Sequence, residues 1–213
     1  MTLARYNISE IFFSIQGEGA RVGMASVFVR FAGCNLRCRM MKGPKSPGGF
    51  DCDTDSDNGK PMSASDICDR ITACSSSLLP GMRAIVLTGG EPMLQLDYEL
   101  LRAIRRVAGY VAVETNGTIA VSMSGSLIDY VTVSPKVPFG DLAQRYAHEL
   151  RVVVPAGRSP AEYERVNASR WYVSPVYQSN SYNSDSLAYC IQWVKENPRW
   201  RLSLQTHKWI GIQ

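Results

Sequence analysis

The sequence predicts an α/β fold, a partial, open, mainly parallel β/α barrel of about six strands. Short β-rich apolar runs alternate with stretches of helical periodicity, which is typical of parallel strands joined by right-handed crossovers. Glycine or polar residues follow the carboxyl end of one strand after another, where ligands bind in such sheets. About six strand-helix units are too few for the eight of a closed barrel, so we expect the barrel to be open.

The predicted elements follow one another along the whole chain. The first core strand is 25–31, and Ser63 is the predicted N-cap of a helix that runs to about residue 75. A buried strand at 83–88 precedes a helix with apolar residues at helical spacing from Leu94 to Val107. A last helix is expected at about 184–196, and the other strands are expected at 110–114, 130–133, 149–154, 170–173 and 200–205.

Length and composition predict one ordinary globular domain covering residues 1–213. Hydrophobic residues make up 45% and charged residues 20% of the chain. No apolar run approaches the ~18 residues of a membrane span, and the N-terminus lacks the apolar segment of a signal peptide. We therefore expect a cytoplasmic protein without a membrane partner. The net charge of +4 is scattered rather than concentrated in a stripe, so a nucleic-acid partner is not expected.

Cysteine spacing is the strongest sign of chemistry in the chain. Three residues separate Cys34 from Cys38, and Cys52 follows after thirteen more. In a reducing compartment such cysteines are metal ligands or buried thiols rather than disulfides. Three clustered thiolates favour an iron–sulfur cluster with one open iron. Zinc with a remote fourth ligand stays open as an alternative, and so does the absence of any metal. The possible fourth ligands are Cys68, Cys74, Cys190, His148 and His207.

A second motif, Gly89-Gly90-Glu91-Pro92, closes a buried strand and begins a helix. Glycine lets a ligand approach the backbone, and proline suits the first helical position. Taken alone, the motif is equally compatible with a simple turn and helix cap.

The two motifs together, in this order, resemble those of the radical S-adenosylmethionine (SAM) enzymes. More narrowly, the chain resembles the 7-carboxy-7-deazaguanine synthases over almost its whole length, in segments 14–19, 30–36, 52–55, 88–92, 114–117, 134–136 and 205–213. The usual superfamily spacing has only two residues before the third cysteine. We therefore expect an insertion at about 39–51, a Pro/Gly-rich excursion that returns Cys52 beside Cys34 and Cys38.

The resemblance implies a trimmed radical SAM barrel and a lyase activity. The family reaction contracts the ring of 6-carboxy-5,6,7,8-tetrahydropterin to 7-carboxy-7-deazaguanine with loss of ammonia, in 7-deazapurine and queuosine biosynthesis. The implied cofactors are a [4Fe-4S] cluster on Cys34, Cys38 and Cys52, SAM on its fourth iron, and Mg²⁺ at Thr54. The implied partners are a small-molecule pterin substrate, an electron-donor protein such as flavodoxin, and a second copy of the chain in a homodimer.

Two groups of binding residues also follow from the resemblance. Arg30 is the expected partner of the substrate carboxylate, because its guanidinium can donate to two oxygens at once. Glu114 is either a ligand contact or a strand-end carboxylate that caps local amides. The implied SAM contacts are Asp51, Cys52, Asp53, Gly90, Glu114, Ser134, Pro135, Lys136, Ser174, Pro175, Val176 and Tyr177. The implied substrate contacts are Ile15, Gln16, Gly17, Glu18, Arg30, Thr88, His207 and Gln213.

Two rival interpretations remain at this point. Another radical SAM enzyme, such as a glycyl-radical activase, has the cysteines and the Gly-Gly-Glu-Pro turn but is not expected to have the segments 16–19 and 207–208. A non-catalytic iron–sulfur or zinc module needs a fourth protein ligand and has no use for the glycine turn.

Overall fold

A computed structural model describes residues 4–36, 38, 49, 52, 58–121, 127–155, 159–178 and 180–213. The main sheet consists of β1 (Tyr6–Ile15), β2 (Ala25–Phe31), β3 (Lys60–Met62), β4 (Ala84–Gly89), β5 (Tyr110–Thr115), β6 (Tyr130–Val133), β7 (Tyr146–Val154), β8 (Asn167–Pro175) and β11 (Trp200–Leu202). A small hairpin pairs β9 (Tyr177–Gln178) with β10 (Ser181–Tyr182). The helices are α1 (Ala64–Cys74), α2 (Tyr98–Arg105), α3 (Ser184–Glu196) and α4 (Thr206–Trp209).

The main sheet has nine strands in the order β11-β8-β7-β6-β5-β4-β2-β1-β3 in the described part of the chain. From β2 to β11 every neighbouring pair is parallel, whereas β1 and β3 are antiparallel additions at one edge. The predicted open, mainly parallel sheet is confirmed. It contains one parallel strand more than the six or so predicted, and β1 and β3 were not predicted.

Helices cover only some of the crossovers between parallel strands. In the described residues, α1 precedes β4, α2 joins β4 to β5, and α3 precedes β11, while short 3-10 turns stand before β7 and β8. The predicted helix from Leu94 to Val107 is divided into a 3-10 turn, Pro92–Leu94, and α2. The division occurs at Asp97, whose carboxylate caps α2 by accepting a hydrogen bond from the Leu100 amide at 2.8 Å. The predicted last strand ends early, at Leu202.

The start of α1 confirms the predicted cap at Ser63. The Ser63 hydroxyl accepts a hydrogen bond from the Asp66 amide at 3.1 Å, and the Asp66 carboxylate accepts one from the Ser63 amide at 2.9 Å. This reciprocal capping box satisfies two amides that a helix end otherwise leaves unpaired. Hydrogen bonds to the Asp66 carboxylate from the Ser63 amide and the Ser63 hydroxyl lower the pKa of this carboxyl.

Apolar packing fixes the helices against the sheet in two clusters. Ile67 and Ile71 of α1 and Leu100 and Ile104 of α2 are fully buried against β2, β4 and β5. The second cluster packs β6, β7 and β8 against α3 and includes Trp200. The removal of these apolar side chains from water is the main stabilising contribution to the fold. Among the described residues, no helix has both the length and the apolar character needed to cross a bilayer.

Candidate functional site

A cavity of about 960 Å³ lies where the parallel strands end. Its wall includes residues at or just beyond the carboxyl ends of strands β2, β4, β5, β6, β7 and β8. All these strands run in the same direction, so their carboxyl ends meet at one edge of the sheet. This edge is the usual location of ligand sites in parallel α/β folds.

Three cysteines line this cavity. Cys38 is buried, Cys34 and Cys52 are half-buried, and all three line the wall. Burial raises the pKa of the Cys34 thiol, and electrostatic interactions with Glu91, Cys38 and Cys52 raise it further. Cys52 therefore lies within electrostatic reach of Cys34 despite the long gap between them in the sequence. No group of three or more His, Cys, Asp or Glu side chains in the described ranges is arranged to hold a metal ion.

The Gly-Gly-Glu-Pro turn is bound directly to the start of the cysteine loop. The Gly90 amide donates to the Phe31 carbonyl at 2.9 Å, and the Glu91 amide donates to the Gly33 carbonyl at 2.9 Å. Gly89 has φ of +120°, and a side chain there would overlap the Phe31 backbone. Only glycine suits both the conformation and the close approach. The turn therefore places Gly90 on the cavity wall beside the cysteines.

Glu91 connects the ends of β4 and β5, a role that the sequence analysis missed. Its fully buried carboxylate accepts hydrogen bonds from the Thr115 hydroxyl at 2.8 Å, the Asn116 amide at 2.7 Å and the Met93 amide at 2.9 Å. Burial raises the pKa of this carboxyl, and the three hydrogen bonds act in the opposite direction. The Asn116 side chain in turn donates to Asn35 Oδ1 at 3.1 Å, which fixes the cysteine loop from a second side.

A buried network of charged side chains forms another part of the site. Arg151 Nη1 lies 2.9 Å from Glu18 Oε2, Nη2 lies 3.1 Å from Glu114 Oε1, and Nε lies 3.6 Å from Glu149 Oε1. Arg21 Nη2 lies 2.8 Å from Glu114 Oε1. Burial raises the pKa of the Glu114 carboxyl, but Arg151 and Arg21 lower it more, so the net pKa is below its ordinary value. The structure thus places Glu114 in a salt-bridge network, with both arginines missed at the sequence level.

Most of the SAM residues expected from the resemblance lie on the cavity wall. Those that do are Cys52, Gly90, Glu114, Ser134, Lys136, Ser174, Pro175, Val176 and Tyr177. Pro135 lines a separate, much smaller cavity near Tyr163, and its expected contact to SAM stays a prediction. The Ser174 hydroxyl is buried without a hydrogen-bond partner in the described part of the chain. Such an orphaned group on a cavity wall suits a polar ligand atom.

The residues expected to contact the substrate meet in the same cavity. Its wall includes Ile15, Gln16, Gly17, Glu18, Arg30, Thr88, His207 and Gln213. Gln16 is buried, and its amide is engaged at both ends. Nε2 donates to Glu114 Oε1 at 2.9 Å, and Oε1 accepts from the Glu18 amide at 3.1 Å. The network therefore holds two of the expected substrate residues, Gln16 and Glu18, in fixed orientations.

The segment 205–213 reaches the cavity through Gly17. The Thr206 amide and hydroxyl each donate to the Gly17 carbonyl at 3.0 Å. A side chain on Gly17 would overlap the His207 ring and lie 2.8 Å from its backbone nitrogen. Glycine at this position is therefore what lets His207 sit against the wall.

Some expected residues lie outside the described part of the chain. These are Asp51, Asp53, Thr54 and most of the insertion at 39–51. Their predicted roles stay predictions.

Known proteins resemble this chain in sequence and in fold. Residues 15–153 match the family described as a 4Fe-4S single cluster domain. The 7-carboxy-7-deazaguanine synthase of Bordetella pertussis is 38% identical over 216 residues, covering 97% of this chain and 99% of that protein. The synthase of Burkholderia multivorans is 38% identical over 213 residues with the same coverage. The crystal structure of QueE from Escherichia coli matches the fold with a TM-score of 0.71, at 24% identity, over 94% of each chain.

Proposed function

The chain belongs to the family of the 7-carboxy-7-deazaguanine synthases, and on this premise we propose that it contracts 6-carboxy-5,6,7,8-tetrahydropterin to 7-carboxy-7-deazaguanine. The reaction releases one molecule of ammonia and involves no net oxidation of the substrate, so it is a lyase reaction. The observation that carries the proposal is the cavity of about 960 Å³ at the strand ends. Its wall includes the three cysteines, the Gly-Gly-Glu-Pro turn, and both arginine and amide groups.

The cofactors of this family are a [4Fe-4S] cluster and SAM. When bound, they supply the hydrogen-abstracting radical that the protein side chains cannot generate. The proposed cluster ligands are Cys34, Cys38 and Cys52, because all three line the cavity and three thiolates would leave one of four irons without a protein ligand. The proposed SAM contacts are the cavity-facing residues named above. Among these, the orphaned Ser174 hydroxyl best meets the need for a polar partner.

The side chains of this chain then bind and orient the substrate. Arg30 would bind the pterin carboxylate, and Gln16 and Glu18 would meet the polar edge of the ring. The Arg151 network would hold Gln16 and Glu18 in place without rearrangement on binding, which favours a productive orientation. Mg²⁺ at Thr54 would orient a substrate oxygen, since a hydroxyl is a hard donor of the kind that Mg²⁺ prefers.

Further parts of the proposal concern the setting of the enzyme. Residues 1–213 would act as one radical SAM domain with an insertion at about 39–51 in the cysteine loop. An electron-donor protein of the flavodoxin type would reduce the cluster, and the chain would work as a homodimer in the cytoplasm. The family supports these points, and a reducing compartment would keep the cluster thiols from forming disulfides.

The direct test is turnover by anaerobically reconstituted protein. The protein is incubated with the carboxypterin, SAM, Mg²⁺ and a chemical reductant, and products are identified by mass spectrometry. We expect a product lighter than the substrate by one ammonia. Because a reaction without net oxidation returns the abstracted hydrogen atom to the product, 5′-deoxyadenosine should not form in proportion to the product. The same assay is run on a Cys52→Ser variant. Cys68→Ser is its matched control, because Cys68 lies on α1 and does not line the cavity. Cleavage of SAM without the deazaguanine would contradict the substrate assignment but keep the superfamily.

A further inference from the structure

We propose that Glu10 is a positioning residue. Together with Gln213 it holds the guanidinium of Arg30 in the orientation that binds the substrate carboxylate. This inference rests on the proposed function, because Arg30 is the expected carboxylate partner. It concerns three side chains that line the cavity, and their contacts with one another in the described residues do not involve the cysteines.

Glu10 and Arg30 are directly opposite each other on β1 and β2. Arg30 Nε donates to Glu10 Oε1 at 2.6 Å, and the side chain of Arg30 is 22% exposed while that of Glu10 is 37% exposed. Neither Nη atom of Arg30 donates a hydrogen bond within the described residues. The pair is therefore made through Nε, and the Nη edge of the guanidinium is left for another acceptor.

Phe12 restrains the same guanidinium from a second direction. Its ring lies 5.8 Å from Arg30 Cζ, measured to the ring centroid, and it stacks on Phe28 with centroids 5.1 Å apart. Both rings line the cavity. Arginine over an aromatic face is a favourable contact, so ring and carboxylate together limit the rotation of the Arg30 side chain.

The second oxygen of Glu10 is held by Gln213. Gln213 Nε2 donates to Glu10 Oε2 at 2.7 Å, while the Ser14 hydroxyl donates to the Gln213 carbonyl oxygen at 2.6 Å. Each oxygen of the Glu10 carboxylate thus has its own donor. Two hydrogen bonds, from Gln213 to Glu10 and from Arg30 to Glu10, thus connect the segment 205–213 to the predicted carboxylate site.

Glu10 has two opposite effects on substrate binding, repulsion of the substrate carboxylate and positioning of Arg30. Its negative charge repels a substrate carboxylate, but Glu10 is partly exposed to water, which weakens that repulsion. Holding Arg30 before the substrate arrives removes the cost of ordering a long side chain on binding. A glutamine at this position keeps an oxygen that can accept from Nε, whereas an alanine does not. The two variants therefore separate positioning from charge.

The test uses reconstituted enzyme with Glu10→Ala and Glu10→Gln, and with Glu162→Ala as an exposed control distant from the cavity lining. We expect Glu10→Ala to raise KM for the carboxypterin about tenfold, the cost of ordering one side chain, with kcat within about twofold. Glu10→Gln should restore KM to within about twofold of the wild type, because positioning rather than charge is required.

A binding readout keeps this inference separate from the proposed function. The affinities of 7-carboxy-7-deazaguanine and of 7-deazaguanine, which lacks the carboxylate, are compared for each variant. Glu10→Ala should weaken only the carboxylated ligand. Wild-type protein that does not prefer the carboxylated ligand would contradict the proposed function. If Glu10→Ala keeps the full wild-type preference for the carboxylated ligand, or binds that ligand more tightly than the wild type, the positioning role of Glu10 alone is overturned.

A double-mutant cycle tests the part assigned to Gln213. Gln213→Ala alone should raise KM in the same direction as Glu10→Ala but by a smaller factor. In the Glu10→Ala background it should have no further effect, because its contact acts through Glu10. An equal effect in both backgrounds would overturn the coupling through Glu10.

Discussion

Replacing Arg151 by methionine tests the buried charge network most severely. The change removes the cation that lies within 3.6 Å of three carboxylates, those of Glu18, Glu114 and Glu149. Only 4% of the Arg151 side chain is exposed, so water cannot replace the lost partner. Breaking a buried ion pair from one side costs about 3–5 kcal/mol, which lowers Tm by roughly 6–20 °C for a chain of this size.

The pH dependence of this loss has a defined sign. In the wild type the pKa of Glu114 is lowered, so its ionised form stabilises the fold above its unfolded pKa. That contribution is lost as the pH falls through the folded pKa. Without Arg151, only Arg21 and Gln16 oppose the effect of burial, so the pKa of Glu114 should rise from its wild-type value. The ionised form is then less stabilising than in the wild type, and the deficit of the variant is largest at neutral and alkaline pH.

The assay is urea unfolding of the reconstituted protein, followed by circular dichroism between pH 8 and pH 5.5. Arg201→Met is the matched control, because Arg201 is an exposed arginine on β11. The control should change the free energy of unfolding by less than about 0.5 kcal/mol. A loss for Arg151→Met no larger than that of the control, or a loss that grows as the pH falls, would refute the argument.

Three further predictions concern the cavity wall. Glu91→Ala leaves three buried donors without their acceptor, so the free energy of unfolding measured in urea should fall by about 3 kcal/mol. A fall of less than about 1 kcal/mol would contradict the role given to this carboxylate. Gly17→Ala displaces His207, so KM for the carboxypterin should rise about tenfold, while the free energy of unfolding should fall by only about 1–3 kcal/mol. Gly140→Ala, where a new side chain meets open space, is its control, and an unchanged KM would count against the tail contact. Cys52→Ser should lose bound iron after reconstitution whereas Cys68→Ser should not, and equal iron contents would remove Cys52 from the ligand set.

The parts of the fold that the sequence predicts are those with local signals. The strand 25–31 coincides with β2, and the Ser63 cap is present because a capping box needs only residues three apart. The Gly-Gly-Glu-Pro turn is equally local, since the positive φ of Gly89 requires glycine whatever the surroundings. Patterns of this kind can be read without knowing what packs against them.

Strand β1 was missed although Tyr6 and Ile8 are buried at alternate positions. A register shift between Ile8 and Glu10 breaks the alternation, so the residues after it do not continue the buried face. A bulge of this kind disguises a strand whose two halves each have a regular pattern.

The charge network could not be read from the sequence for a different reason. Arg21 and Glu114 are 93 residues apart, and Ala20, whose amide donates to Glu149, is 129 residues from that partner. An arginine in the apolar strand β7 gives no sign of which carboxylates it meets. Similarly, the motif identifies Glu91, but its partners Thr115 and Asn116 become neighbours only when β4 and β5 pair.

The most direct test of the account is electron paramagnetic resonance of the anaerobically reconstituted, reduced protein with and without SAM. Three cysteine ligands leave one iron for SAM, so the account predicts a reduced [4Fe-4S] signal that changes when SAM is added. A cluster signal that stays the same in the presence of SAM would contradict an open iron facing the cavity, and with it the proposed chemistry.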